Sequence, residues 1–144
     1  MQIDFGGGSE ISFERKGKAG LVRLTRTSAL NALTHKMILA LDRALQAWES
    51  DDDVAVVIVE GEGRAFCAGG DVVAAYKAGK EGTPAFDFFR DEYRLNARIG
   101  RFPKPYVSLL NGIVMGGGAG ISIHGSHRIV TENTLFAMPE TGIG

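Results

Sequence analysis

The sequence predicts an α/β domain, and three observations carry that prediction. Two uncharged, largely apolar runs, Val54–Val59 and Tyr106–Leu110, read as strands covered on both faces, as in a parallel sheet. Segments of helical apolar spacing alternate with them. A glycine-bearing loop follows each run, AFCAGGD (65–71) and MGGGAG (115–120), where a strand gives way to a helix.

Taken in order, Gly6-Gly7-Gly8-Ser9 reads as a flexible lead-in over residues 1–10. Ile11 and Phe13 alternate with polar neighbours, and Leu21–Arg26 follows GKAG, which predicts a hairpin turning near Gly17–Gly20. Thr34 is placed to cap a helix running to about Ser50, with Met37, Leu41, Leu45 and Trp48 on its apolar face; Asp51-Asp52-Asp53 ends it. After the first buried strand come glycines 61, 63, 69 and 70, and Asp71 is placed to open a short helix. Thr83-Pro84 is a cap and first-turn pair for a helix reaching Gly100, with Phe86, Phe89, Tyr93 and Ala97 as its stripe. Pro103 and Pro105 break it. The second buried strand, an Asn111-Gly112 turn, a helix from about Gly117 to His124 and short strands at His127–Val130 and Leu135–Ala137 complete the series.

A chain of 144 residues suits one domain with a real core. Sixteen Lys+Arg against seventeen Asp+Glu give a net charge of −1, which offers nothing to nucleic acid or an anionic membrane. No apolar run is long enough to span a bilayer. Cys67 is the single cysteine, so no internal disulfide forms. The opening MQIDFGGGSE lacks the order of a signal or transit peptide, and a cytoplasmic protein is the expectation.

Glycine supplies 20 residues, about twice its usual share, and the excess is clustered. At the two strand-to-helix junctions, free backbone N–H groups can bind an anion or grip a carbonyl oxygen as it becomes negative; close helix–strand packing explains the same glycines without any ligand. The dinucleotide fingerprint and the phosphate-binding loop both fail here, since Ile121 or Ile123 falls where the third glycine belongs and no Gly-Lys-Ser/Thr follows. Glu140, in MPETGIG, is either a partly buried carboxyl suited to proton transfer or an ordinary first-turn glutamate. His35, His124 and His127 lack the spacing of a zinc site, so no metal is expected. Cys67 beside Phe66 reads as a small core residue, and Glu92 taken alone as a solvated helix residue.

Together, AFCAGGDV, KPYVSLLNGIVMGGGAG and LFAMPETGIG, with SALNAL (28–33) ahead of them, resemble the crotonase (enoyl-CoA hydratase/isomerase) superfamily from about Ile11 to Gly144. Within it, CAGGD, the FFRDEYRLN helix and MGGGAGISIHG followed by FAMPET are most similar to the 3-hydroxyisobutyryl-CoA hydrolase branch. The resemblance implies a ββα spiral core, with residues 11–144 forming the N-terminal part of the domain. It implies an oxyanion hole made by the amides of Ala68 and Gly117, Glu140 as the catalytic glutamate (nucleophile or general base), and Glu92 as a substrate contact. The loop around Asn31–Leu33 and the loop at Cys67–Asp71, which carries Gly69 and Asp71, would flank the coenzyme A arm. Gly120 stands where the superfamily's hydratases carry a second glutamate, which favours thioester hydrolysis, here in valine catabolism, over hydration. Hydration or isomerisation, and a non-catalytic CoA-binding role, are the alternatives. Coenzyme A is part of the substrate, so no separate cofactor is implied. The superfamily's further segments make a missing C-terminal portion, and a second copy in a homo-oligomer, the expected partners.

Overall fold

A computed structural model describes residues 2–71 and 85–137. Nine strands and three helices follow one another along the described chain: β1 (Gln2–Ile3), β2 (Ile11–Lys16), β3 (Ala19–Leu24), α1 (His35–Glu49), β4 (Val56–Gly61), β5 (Ala65–Cys67), α2 (Ala85–Arg101), β6 (Tyr106–Leu110), β7 (Ile113–Met115), α3 (Gly117–Ile123), β8 (His127–Val130) and β9 (Leu135–Ala137). A 3-10 turn over Thr27–Ala29 precedes α1.

Two sheets share these strands. The larger runs β1-β2-β3-β4-β6-β8, antiparallel through β3 and parallel beyond it; the smaller runs β5-β7-β9, all parallel. From β4 onward the chain lays one strand in each sheet by turns. The predicted hairpin forms with a turn confined to Gly17-Lys18, Gly17 taking φ +60°. The predicted first buried strand is shifted along the chain, starting at Val56 rather than Val54.

Helix α1 starts where its sequence directs. The Thr34 hydroxyl accepts from the Met37 N–H at 3.2 Å, and the Met37 sulfur accepts from the Thr34 N–H at 3.4 Å. Its buried face, Met37, Leu41, Leu45 and Trp48, meets Val22, Leu24, Val57 and Val59 of the larger sheet in one core. Burying each such side chain contributes about 1.5–3 kcal/mol.

Two expectations are corrected. Residues 2–10 are not a loose lead-in: β1 pairs with β2, and Phe5 stacks edge-on against Phe13 (5.1 Å) and Trp48 (5.7 Å). The glycines there make a turn, with positive φ at Gly6 and Gly8 and no room beside Ile11 for a side chain at Gly7. The stripe expected on α2 faces outward: Phe86, Phe89 and Tyr93 are 69%, 41% and 75% exposed, and Ala97 is exposed with them. Phe88, Leu95 and Ile99 are buried instead, on the face that also carries Glu92. The helix expected after Asp71 and the Thr83-Pro84 cap lie outside the described residues. Among the described residues, no helix is long and apolar enough to cross a membrane.

Candidate active site

The site begins at a tight turn. Leu30 (φ +52°) and Asn31 (φ +59°) are both left-handed, a conformation that costs a leucine about 1–2 kcal/mol. Asn31 offsets that cost: its buried Nδ2 donates to the carbonyls of Glu62 and Ala65, both at 2.9 Å. The turn is thereby anchored and becomes the template for the 68–71 loop. The Ala68 N–H donates to the Leu30 carbonyl (3.0 Å), the Leu33 N–H to the Gly69 carbonyl (2.7 Å) and the Asp71 N–H to the Leu33 carbonyl (2.8 Å).

This pairing decides which amide is available. Leu33 and Gly70 form a parallel bridge. The bridge uses the Gly69 carbonyl and the Asp71 N–H, and successive peptide groups in extended chain face opposite ways. The Gly70 N–H therefore faces away from Leu33, toward the start of α3. Its nitrogen lies 2.9 Å from the point a Cβ would occupy on Gly117. The expectation for Ala68 is corrected accordingly: its N–H is spent on Leu30, and Gly70 is the residue opposed to Gly117.

The glycine run follows from the same packing. Gly116 turns the chain from β7 into α3 with φ +47° and ψ −112°. A side chain at Gly118 would overlap the Cys67 carbonyl, and one at Gly117 would crowd Gly70. Gly69, at φ +120°, passes 3.4 Å from the Met115 carbonyl, measured from its own Cβ position.

Helix α2 supplies the site's described carboxyl. Glu92 Oε1 lies 3.2 Å from the Gly117 Cβ position, and Oε2 lies 3.7 Å from that of Gly70. Burial pushes the Glu92 carboxyl above its ordinary range, which favours the neutral, proton-donating form. One turn earlier, the edge of Phe88 backs Gly70 at 3.3 Å from its Cβ position. One turn later, Asn96 Nδ2 lies 2.8 Å from the Cβ position of Gly120. The Asn96 amide thus occupies the space beside Gly120, and a side chain there would have to displace it.

The other candidates separate. Asp71 is bound to Arg26 at 2.7 Å, and Arg26 also meets Glu10 at 3.5 Å. Cys67 is fully buried, and burial pushes its thiol up to about 12, as expected of a core residue. His35 pairs with Asp91, and His127 Nδ1 is hydrogen-bonded to Ser126. Among the described residues no three His, Cys, Asp or Glu side chains cluster as a metal site. Glu140 lies outside the described residues.

What the arrangement can do is hold one electronegative atom at the junction of two loops, beside the Glu92 carboxyl. The sequence reading missed Gly70 and Phe88. The signal for Gly70 was two-residue alternation along 68–71, legible only once Leu33 is known to be the partner.

Comparison with known proteins shows the family and the fold. The family model for Enoyl-CoA hydratase/isomerase matches residues 19–144. A zebrafish (Danio rerio) protein named 3-hydroxyisobutyryl-CoA hydrolase, mitochondrial, is 55% identical over 95% of this chain, and its chicken (Gallus gallus) namesake is 50% identical over 94%. The chain spans 36% of the length of each. A crystal structure of a carnitinyl-CoA dehydratase from Mycobacterium thermoresistibile superposes with a TM-score of 0.89 at 52% identity, covering 95% of this chain and 41% of that one. The expected spiral fold is therefore that of this chain. The cytoplasmic expectation is corrected, because the animal relatives are named as mitochondrial. That expectation rested on the character of ten terminal residues alone. By fold, by site geometry and by a family match across nearly all of its length, this chain belongs to the enoyl-CoA hydratase/isomerase family.

Proposed function

We propose that this chain supplies the thioester-gripping part of an acyl-CoA hydrolase acting on 3-hydroxyisobutyryl-CoA, a step of valine catabolism. The observation that carries the reading is the Gly70 N–H turned toward Gly117 with the Glu92 carboxyl against both. In this reading the thioester carbonyl oxygen sits between the two glycine amides. As the carbonyl carbon is attacked, the oxygen becomes negative, and each donor lowers the barrier by about 2.7–4 kcal/mol. Glu140 takes the proton of the attacking water, or attacks the carbonyl itself and is released by water in a second step. In the first route the carbon–sulfur bond breaks as the sulfur takes the proton Glu140 gained from water; in the second coenzyme A leaves as the thiolate, is protonated by solvent, and water then opens the acyl–Glu140 anhydride. Glu92, set against both glycines, contacts the acyl group. The remaining two thirds of the relatives' length would close the pocket over the coenzyme A arm and carry any homo-oligomer contact. No separate cofactor takes part.

A second reading, addition or removal of water at an enoyl-CoA, is favoured by the name of the M. thermoresistibile structure. One experiment divides the two. The full-length protein is given 3-hydroxyisobutyryl-CoA and crotonyl-CoA in turn, with free thiol and enoyl absorbance followed together. Thiol release that Glu140→Gln abolishes supports hydrolysis; loss of enoyl absorbance without thiol supports hydration.

A further inference from the structure

Outside the residues that face the thioester, one contact is built with unusual care. His35 is the first residue of α1, and its Nε2 meets Asp91 Oδ2 on α2 at 2.7 Å. The same ring packs edge-on against Phe88 (centroids 6.1 Å apart, planes at 72°). Both partners lead into the site: Phe88 backs Gly70, and Asp91 immediately precedes Glu92. Seven residues further along each helix, Asp42 of α1 meets Arg98 of α2 at 2.6 Å. The two helices are therefore pinned twice, and only the His35 pin lies at the site.

The geometry points to His35 as a positioning residue that fixes the rotation of α2 about its axis, and so places Glu92 and Phe88 against Gly70 and Gly117. This inference deepens the hydrolase reading and rests on it. A helix side chain reaches about 5–6 Å from the axis, so a turn of about 10° carries the Glu92 carboxyl roughly 1 Å. Displacements of that size cost about 10²-fold in rate. The buried Phe88, Leu95 and Ile99 resist sliding, but they are smooth and tolerate a small rotation; a hydrogen bond does not. Asp91 is held in place from the other side by Arg90 (3.4 Å) and Arg94 (3.8 Å), so it is a fixed point for His35 to grip.

The test compares His35→Ala, His35→Gln and, as the control pin, Asp42→Ala in the full-length protein, by thiol release, thermal melting and 13C NMR titration of the Glu92 carboxyl. His35→Ala is expected to lower kcat about tenfold with KM within about twofold, and His35→Gln to recover most of the loss. Asp42→Ala, at a similar fall in Tm, is expected to leave kcat within about twofold. The Glu92 titration should move back toward that of an ordinary carboxylate in His35→Ala and stay in place in Asp42→Ala. Should His35→Ala fail to fold, His35→Leu keeps the bulk against Phe88, drops only the hydrogen bond, and carries the same expectations. Equal losses of kcat in the two pins, no recovery with Gln, or an unmoved Glu92 titration in the His35 variants overturns the inference. Wild-type protein that releases no thiol removes the hydrolase reading, and the NMR titration still decides the positioning role.

Discussion

Replacing Gly117 by Ala puts one methyl where the two loops meet. The new carbon would lie 2.9 Å from the Gly70 nitrogen and 3.2 Å from Glu92 Oε1, while ordinary contact begins at 3.4 Å. The loops must open by about 0.5 Å where Gly117 meets Gly70. If 1 Å of misplacement costs about 10²-fold, half of it costs about tenfold; complete loss of one donor costs about 10²–10³-fold. We therefore expect kcat/KM for thiol release to fall by between about tenfold and about 10³-fold. Stability should change less. Crowding costs about 1–3 kcal/mol, and alanine in the first turn of α3 returns about 1 kcal/mol of helix propensity. The melting temperature should drop by about 2–6 °C. The assay is initial-rate thiol release beside a thermal melt, with Gly118→Ala as comparison, since its methyl overlaps the Cys67 carbonyl and should cost more stability. A folded Gly117→Ala enzyme with kcat/KM within about twofold of wild type would refute the placement of the carbonyl oxygen at this junction.

Three more outcomes follow from the site. Because burial raises the Glu92 carboxyl above 4.5, the folded state holds a proton that the unfolded chain releases; that stabilisation is complete below 4.5 and lost as pH rises through the folded value. Glu92→Gln should accordingly raise Tm over wild type at about pH 8 and not at about pH 4, and an equal change at both sinks the argument. Asn31→Ala removes two buried hydrogen bonds and leaves a left-handed alanine; a loss of about 2–4 kcal/mol is expected in denaturant melts, and a change under about 1 kcal/mol contradicts the anchoring role. Cys67 should resist iodoacetamide in the native protein and react once denaturant is added; rapid native labelling would show that its thiol is not sealed in the core.

Where the sequence was legible, one physical effect dominated. Thr34 had a free side chain for the first amides of α1, and Met37, Leu41, Leu45 and Trp48 left only one face to bury. The apolar runs of β4 and β6 did form strands, but only alternate residues are buried, Val57 and Val59 in one and Tyr106, Ser108 and Leu110 in the other, with the residues between them partly covered. In α2 two apolar faces competed. The aromatic one, Phe86, Phe89 and Tyr93, is larger, yet the buried one is Phe88, Leu95 and Ile99, interrupted by Glu92. The polar residue that disqualified this face by pattern, Glu92, lies against Gly70 and Gly117. At the junction of the two glycine-bearing bends the sequence located the bends but not the amide that faces Gly117. Whether Ala68 or Gly70 faces Gly117 depends on a bridge to Leu33, far back in the sequence, and residue types carry no record of that register.

The strands that fall by turns into two sheets have a consequence for how the molecule comes into being. Val57 pairs with Tyr106 and Val107 with His127, so each lap of the coil is laid against the one before it. Such a body is moulded by its own earlier part. On a ribosome, which delivers about 5–20 residues per second, the β2–β3 hairpin and α1 emerge first and become the seat on which every later lap is wound. An error of one residue in that seat is inherited by all that follows, including the bend that aims Gly70.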